Sequence, residues 1–244
     1  MLYVKEREYL LSVLDDLIKF RLLDCTGGLM ALRCNADHLL FSVTGEAFRR
    51  WRAKLEDFIV TDNEGGVVEK HEHGAAAGFL IVLELFKQFP LCNAVLHTHA
   101  EYSHAFAALD LGIPPASHLM QTLGEAPCLR VEDQRIKEEY FRRPYPVEVP
   151  AAMNYRPDIV AVNQQIVPQI KEKLGHRQHE LEKHGLAFTT YQHGVYVFAR
   201  NMDEAFNNLA RVEASARTYI YGSLILGRER LEAGERGQLR TADS

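Results

Sequence analysis

Asn-Ala-Val-Leu-His-Thr-His, at positions 93–99, is an apolar run that ends in two histidines. Alternate side chains of a β-strand point to the same face, so His97 and His99 are predicted to project side by side. Two neutral imidazoles at the end of a buried strand form half of a transition-metal site. A third histidine, His193, lies in the short β-prone run 191–195. Three nitrogen ligands would leave coordination positions open for water or substrate, which is typical of a catalytic metal.

The competing interpretation of this pair is two core histidines that hydrogen-bond to their neighbours. It is harder to sustain for His97 and His99, because two adjacent buried polar rings would each need a partner. The pair favours a metal site, but it does not by itself identify a third ligand.

Composition and charge exclude several classes of function. The 244 residues are 47% hydrophobic and 25% charged, as in an ordinary globular protein, with a formal charge of −5. Neither the charge nor any basic run predicts binding to nucleic acid or to an anionic membrane. No apolar segment is long enough to span a bilayer, and residues 1–8 are charged where a signal peptide needs an apolar core. We therefore expect a cytoplasmic location.

The four cysteines have no metal-binding spacing. Cys25, Cys34, Cys92 and Cys128 are scattered and form no C-x-x-C motif. We expect reduced, partly buried thiols, with Cys92 acting as a small apolar side chain.

Hydrophobic periodicity predicts interleaved helices and strands. Helices are predicted at 6–23, 75–89, 103–109, 158–174 (with Pro168 as a possible kink or break) and 202–224, and strands at 29–33, 39–43, 58–61, 93–99, 186–190 and 194–199. Asp203 is a plausible cap and first-turn acid for the last helix. This alternation indicates one α/β domain over residues 1–226, followed by a charged, disordered tail at 227–244.

Several motifs occur in an order that resembles the class II aldolase/adducin family. They are residues 93–100 with the His-x-His pair, Gln192-His193-Gly194, residues 203–206 followed by 212–214, Thr26-Gly27-Gly28 with Arg33, and Ser42-Val43-Thr44-Gly45. Each motif alone is weak evidence for the family, and the resemblance rests on the order that the motifs share. It extends from the N-terminal helix to about Tyr221.

The resemblance implies a fold, a metal and an assembly. The fold would be a central, mostly antiparallel sheet flanked by helices, in a homotetramer with active sites at subunit boundaries. His97, His99 and His193 would hold a divalent metal, usually Zn²⁺, with Fe²⁺ and Mn²⁺ as alternatives. Substrate contacts are expected from Thr26, Gly28, Thr44, Gly45 and His118.

Departures from the family pattern indicate that the substrate is not a sugar phosphate. Gly78 stands where the sugar-phosphate aldolases have an acid/base glutamate, and 75–77 are alanines in place of a serine pair. Leu29 replaces a loop asparagine, and Leu119, next to His118, replaces a tyrosine. A pocket with so few hydroxyls cannot replace the hydration shell of a phosphate dianion, so we expect a carboxylate or an aromatic acid instead.

The missing acid/base group needs a substitute. Residues 67–74 are dense in titratable groups, and from Glu69 and Glu72 we select Glu72 as general base or fourth ligand. The alternatives are Glu69, or a solvated loop with no catalytic role. Residues 141–146 could supply arginines for a substrate carboxylate, but a surface excursion or a subunit contact is the favoured interpretation of segment 125–182.

These features predict a divalent-metal lyase acting next to a carbonyl of a small oxygenated substrate, by retro-aldol cleavage, decarboxylation or dehydration. One alternative is a non-haem iron enzyme that activates oxygen on the same scaffold. The other is a non-catalytic, adducin-like assembly module, which is disfavoured because all three histidines are present.

Overall fold

The sheet is the element that positions everything else. A computed structural model describes residues 1–24, 28–42, 53–69, 79–141 and 157–226. Seven strands form one sheet in the order β3-β2-β1-β4-β7-β6-β5, and every pair is antiparallel except β5–β6. The strands are β1 (Gly28–Arg33), β2 (His38–Phe41), β3 (Ile59–Asp62), β4 (Ala94–Thr98), β5 (Cys128–Leu129), β6 (Leu186–Thr190) and β7 (Gly194–Ala199). The predicted α/β fold with a mostly antiparallel sheet is confirmed.

Six α-helices flank the sheet within the described ranges. They are α1 (Val4–Lys19), α2 (Phe79–Gln88), α3 (Glu101–Ala108), α4 (Gln134–Phe141), α5 (Pro157–Leu174) and α6 (Met202–Leu226). Short 3-10 helices occupy Leu55–Asp57, His118–Met120 and Gly175–Glu182. No helix in those ranges combines the length and apolar character that a bilayer crossing requires.

Each face of the sheet has its own hydrophobic core. Alternation along β4 sends Ala94 and Leu96 toward α1 and α6, and sends Val95 toward α2 and α5. The β4 and β7 side chains are almost completely buried, as expected for central strands covered on both sides. His97, two residues after Val95, therefore lies on the α2/α5 face.

A short turn between β6 and β7 places His193. Gln192 adopts a left-handed conformation with φ 56°, which lets three residues reverse the chain. Backbone hydrogen bonds fix this turn from two sides, because Gln192 donates to the Ala107 carbonyl and Tyr191 donates to the Leu129 carbonyl. The turn is thus tied to both α3 and β5.

Glu213 of α6 caps the helix that begins directly after the His-x-His pair. Its carboxylate accepts hydrogen bonds from the backbone N–H groups of Tyr102 at 2.7 Å and Ser103 at 2.9 Å, and from the Ser103 hydroxyl. The first N–H groups of a helix have no partner within the helix, so this buried carboxylate satisfies them. It fixes α3, and with it the exit of the chain from β4.

The structure corrects two details of the sequence interpretation. The cap of α6 is Asn201, whose side-chain oxygen accepts from the Glu204 N–H at 2.8 Å. Asp203 is a first-turn acid of the helix, as predicted, and accepts from the Tyr9 hydroxyl. Pro168 lies within α5 and does not end it. Residues 227–244, predicted to form a tail, and residues 70–78 lie outside the described residues.

Replacing Glu213 by glutamine is expected to lower the free energy of unfolding by about 1–3 kcal/mol, because three buried donors lose a charged acceptor. Denaturant unfolding measures this loss. On the same helix, Glu204→Gln removes only a surface ion pair with Arg200, so its loss is expected to stay below about 1 kcal/mol. Equal losses in the two variants would contradict the capping role.

Candidate metal centre

Three histidines from two distant parts of the chain meet at one end of β4 and β7. The ring centroids of His97 and His99 are 5.2 Å apart, and the His193 centroid lies 4.7 Å from the first and 5.0 Å from the second. One nitrogen from each ring can be chosen so that all three lie within 4.8 Å of one another. A single ion could therefore contact all three.

His97 is held in one orientation and one tautomer. Its Nδ1 lies 3.0 Å from the Val195 carbonyl oxygen, which can only accept, so Nδ1 carries the proton and donates. Nε2 then presents a lone pair, the form in which imidazole binds metals. The ring also stacks on Tyr196, with centroids 4.0 Å apart and planes 14° apart, and Tyr196 stacks in turn on Phe188.

Gly194 allows the rings to approach one another. A Cβ atom at this position would lie 2.5 Å from the Thr98 carbonyl oxygen, 2.7 Å from Cδ2 of His99 and 3.2 Å from Cε1 of His97. The first two distances are far shorter than ordinary van der Waals contacts, and the third is tight. The residue after His193 must therefore be glycine for β4, β7 and the two neighbouring imidazoles to pack as they do.

His193 is neutral at physiological pH. Burial, and secondarily the imidazoles of His99 and His104, lower the pKa of His193 to about 3. A metal does not have to displace a proton from this ring at neutral pH. Three imidazole nitrogen donors suit zinc and iron, and they suit manganese less well because it prefers oxygen ligands. The donor set thus fits the predicted divalent ion.

A fourth imidazole was not singled out from the sequence. His104, on the first turns of α3, has its ring centroid 5.5 Å from that of His99. The sequence feature that could have indicated His104 is its position five residues after His99, in a segment predicted to be helical. Half-buried beside the triad, His104 could hold a water molecule or a substrate oxygen by a hydrogen bond.

The structure places only part of the predicted substrate site. Gly28 pairs with Thr98 across β1 and β4, and it therefore lies at the same end of the sheet as the triad. Thr26, Thr44, Gly45 and Glu72 lie outside the described residues, as do His71, His73 and residues 142–146.

His118 is exposed on the 3-10 turn His118–Met120. Among the described residues, the ring contacts of the triad involve its own members, His104 and Tyr196, and do not include His118. Its role in substrate binding stays a prediction.

Glu69, the alternative to Glu72, has a structural contact. Its carboxylate lies 2.7 Å from the guanidinium of Arg7 and 3.6 Å from the N-terminal ammonium group. Arg7 is almost fully buried and also donates to the carbonyls of Leu2 and Phe58. Glu69 therefore neutralises a buried cation in α1, which favours Glu72 among the two carboxylates.

Cysteine does not compete with histidine for a metal in the described part of the chain. Cys34, Cys92 and Cys128 are free thiols. Burial raises the pKa of Cys34 and of Cys92 to about 12, so these two stay protonated and are poor ligands. Cys25 lies outside the described residues.

Replacing Gly194 by alanine is expected to weaken zinc binding at least about tenfold, because the new methyl group displaces the His99 ring or the Thr98 carbonyl. Competition with a chromogenic chelator measures the affinity. Gly175→Ala is the matched control, since a Cβ there meets only Lys171 Cγ at an ordinary 3.6 Å. Unchanged zinc affinity in Gly194→Ala would contradict the close-packing argument.

Acid should destabilise the metal-free protein through His193. Its folded-state pKa of about 3 is below the unfolded value near 6.5, so the unfolded chain takes up the proton first as the pH falls. Stability is complete above about pH 6.5 and is lost toward pH 3, by at most about 1.4 kcal/mol per pH unit.

Urea unfolding at pH 7, 6 and 5 should show a smaller pH dependence for His193→Gln than for the wild type. The exposed His179→Gln variant should keep the wild-type dependence. The same pH dependence in all three proteins would contradict the assignment.

Comparisons with known proteins agree with this fold. A family model described as "Class II Aldolase and Adducin N-terminal domain" matches residues 8–220. Among solved structures, an L-fuculose 1-phosphate aldolase is 18% identical, with 93% of this chain and 92% of the other covered and a TM-score of 0.64. YgbL from Escherichia coli is 18% identical, with 91% of each chain covered and a TM-score of 0.65.

The L-fuculose-1-phosphate aldolase from Thermus thermophilus is also similar. It is 18% identical, with 89% of this chain and 95% of the other covered and a TM-score of 0.61. At such identities the likeness extends to the fold alone, whereas the family model matches most of the sequence. This chain therefore belongs to the class II aldolase and adducin N-terminal domain family.

Proposed function

We propose that this protein is a divalent-metal-dependent lyase that acts next to a carbonyl of a small, non-phosphorylated substrate. The observation that carries the proposal is the convergence of His97, His99 and His193, with donor nitrogens within 4.8 Å of one another. Family membership supports a metal-dependent lyase in general. The reaction class, whether retro-aldol cleavage, decarboxylation or dehydration, and the exclusion of sugar phosphates rest on the sequence departures described above.

The three histidines would hold the ion, and Zn²⁺ is our first choice. When bound, it would supply Lewis-acid polarisation of a substrate carbonyl or hydroxyl oxygen. Side chains of the protein would position the ion and the substrate and transfer protons. His97 is locked by Val195 and Tyr196, and His193 is held neutral by burial. We assign proton transfer to Glu72, and His104 stands beside His99 to orient a substrate oxygen or water.

A second candidate is a non-haem iron enzyme, which the same donor set would serve. Three imidazoles with open coordination positions suit Fe²⁺ as well as Zn²⁺. Metal analysis after aerobic and anaerobic purification, with oxygen uptake on candidate substrates, separates the two. Iron with substrate-dependent oxygen uptake would replace the lyase proposal.

We also propose a homo-oligomer, with a tetramer as the family expectation. Leu224 and Ile225 at the end of α6 are 76% and 80% exposed, and Leu119 is 60% exposed. Large exposed apolar side chains of this kind favour burial against another subunit. Light scattering on the purified protein gives the number of chains.

Metal content and turnover test the proposal together. Elemental analysis should find about one zinc per chain in the wild type, and less than about a tenth of that in His97→Ala, His99→Ala and His193→Ala, because each removes one of three ligands. His179→Ala, an exposed histidine elsewhere in the chain, should keep the metal.

Cleavage or decarboxylation of hydroxy- and oxo-acids should disappear in the same three variants, and sugar phosphates should be poor substrates of the wild type. Full metal content in the variants, or a preference for sugar phosphates, would contradict the proposal.

A further inference from the structure

An apolar cavity opens beside His193, on the face of the sheet covered by α2, α4 and α5. Its lining is largely apolar with a few polar groups, as is typical of sites for small organic ligands. The apolar part of the lining comes from α2, from β5 and its flank, and from α5, namely Ile81, Leu129, Val131, Val162 and Ile166. Because His193 also lines it, the cavity adjoins the candidate metal centre.

Lys137 lines this cavity and forms no ion pair with a carboxylate in the part of the chain that the structure describes. The Lys137 side chain is half-buried, and its Nζ lies 3.9 Å from the ring centroid of Tyr191, which also lines the cavity. A cation held over an aromatic face is oriented but not neutralised, so it remains available to an anionic ligand.

A buried hydroxyl group accompanies this cation. Thr190 is 5% exposed and lines the same cavity. Its Oγ1 has no hydrogen-bond partner among the described residues. A buried polar atom without a partner is costly, and a ligand that supplied the missing hydrogen bond would remove that cost.

We propose that this cavity binds the substrate as a monocarboxylic acid with an apolar aliphatic or aromatic body. Lys137 would pair with the carboxylate, Thr190 would donate a hydrogen bond to it, and the apolar body would contact Val162 and Ile166. This inference rests on the proposed function, because it names the substrate class of the metal centre that His193 shares.

The lining favours a carboxylate over a phosphate. One ammonium group balances a single negative charge and one hydroxyl group can donate a hydrogen bond to it, whereas a buried dianion needs several donors to replace its hydration. The apolar walls give no reason to bind a sugar, whose hydroxyl groups would lose hydrogen bonds to water. In this proposal, segment 125–182 contributes to a ligand site through α4 and α5. The sequence alone had favoured a surface excursion or a subunit contact for this segment.

Calorimetric titration with three probes tests the proposal. Phenylacetate carries both the charge and the apolar body, phenylacetamide lacks the charge, and acetate lacks the body. We expect metal-free wild-type protein to bind phenylacetate at least about tenfold more tightly than either of the others, because only phenylacetate makes the charge-assisted contact together with apolar burial.

Variants of the lining residues identify the site. Lys137→Met should reduce the preference for phenylacetate over phenylacetamide to less than about threefold, whereas Lys183→Met, an exposed lysine elsewhere, should leave it unchanged. Val162→Phe should fill the cavity and abolish binding of both aromatic probes. Thr190→Val, which is nearly isosteric, should weaken phenylacetate several-fold and provides a second test should Val162→Phe unfold.

Absence of phenylacetate binding, or a charge preference that survives in Lys137→Met, would overturn the proposal. Titration of metal-free protein keeps this outcome separate from the lyase proposal. If the protein bound phenylacetate through Lys137 but took up no metal, the cavity assignment would stand and the lyase proposal would fail. If it took up metal but did not bind phenylacetate, only the cavity assignment would fail.

Discussion

The antiparallel pairing of β4 with β7 is the constraint on which the rest of the structure depends. In this register Thr98 lies opposite Val195 and His97 lies opposite Tyr196, so residues nearly one hundred positions apart become neighbours. The side-chain period of a strand is two, and a slip of one residue would turn His97 toward the α1/α6 core. Gly194 completes the constraint, because only a residue without Cβ lets the Thr98 carbonyl and the His99 ring come so close.

The same packing sets the chemistry of the candidate centre. Burial holds His193 in its neutral form, and a backbone carbonyl selects the tautomer of His97. These effects prepare nitrogen donors for a metal before any metal binds. Neither effect depends on an acidic side chain among the described residues. Most of the described residues that line the neighbouring cavity are apolar, and among them Lys137 is the charged one. The monocarboxylate that we propose as ligand would match this lining.

Much of the architecture follows from local sequence patterns. The apolar run at 93–99 predicted β4, and the two short runs around His193 predicted β6 and β7, because strands buried on both faces read as continuous apolar stretches. The two-residue strand β5 and the helix α4 were not predicted, since the first is too short for a periodic signal and the second has few apolar residues to form a stripe. The capping of α3 by Glu213 and the cavity beside His193 depend on tertiary contacts, which no local pattern encodes. His97 and His99 could be found from their spacing alone, whereas the assignment of His193 required the order of motifs along the chain.

X-ray absorption spectroscopy of the zinc-loaded protein measures most directly whether the three imidazoles share one ion. The account predicts a first shell containing three imidazole nitrogens at about 2.0–2.1 Å, with any further scatterers being nitrogen or oxygen. A shell that contained sulfur at about 2.3 Å, or only one imidazole, would place the metal elsewhere and contradict the central assignment.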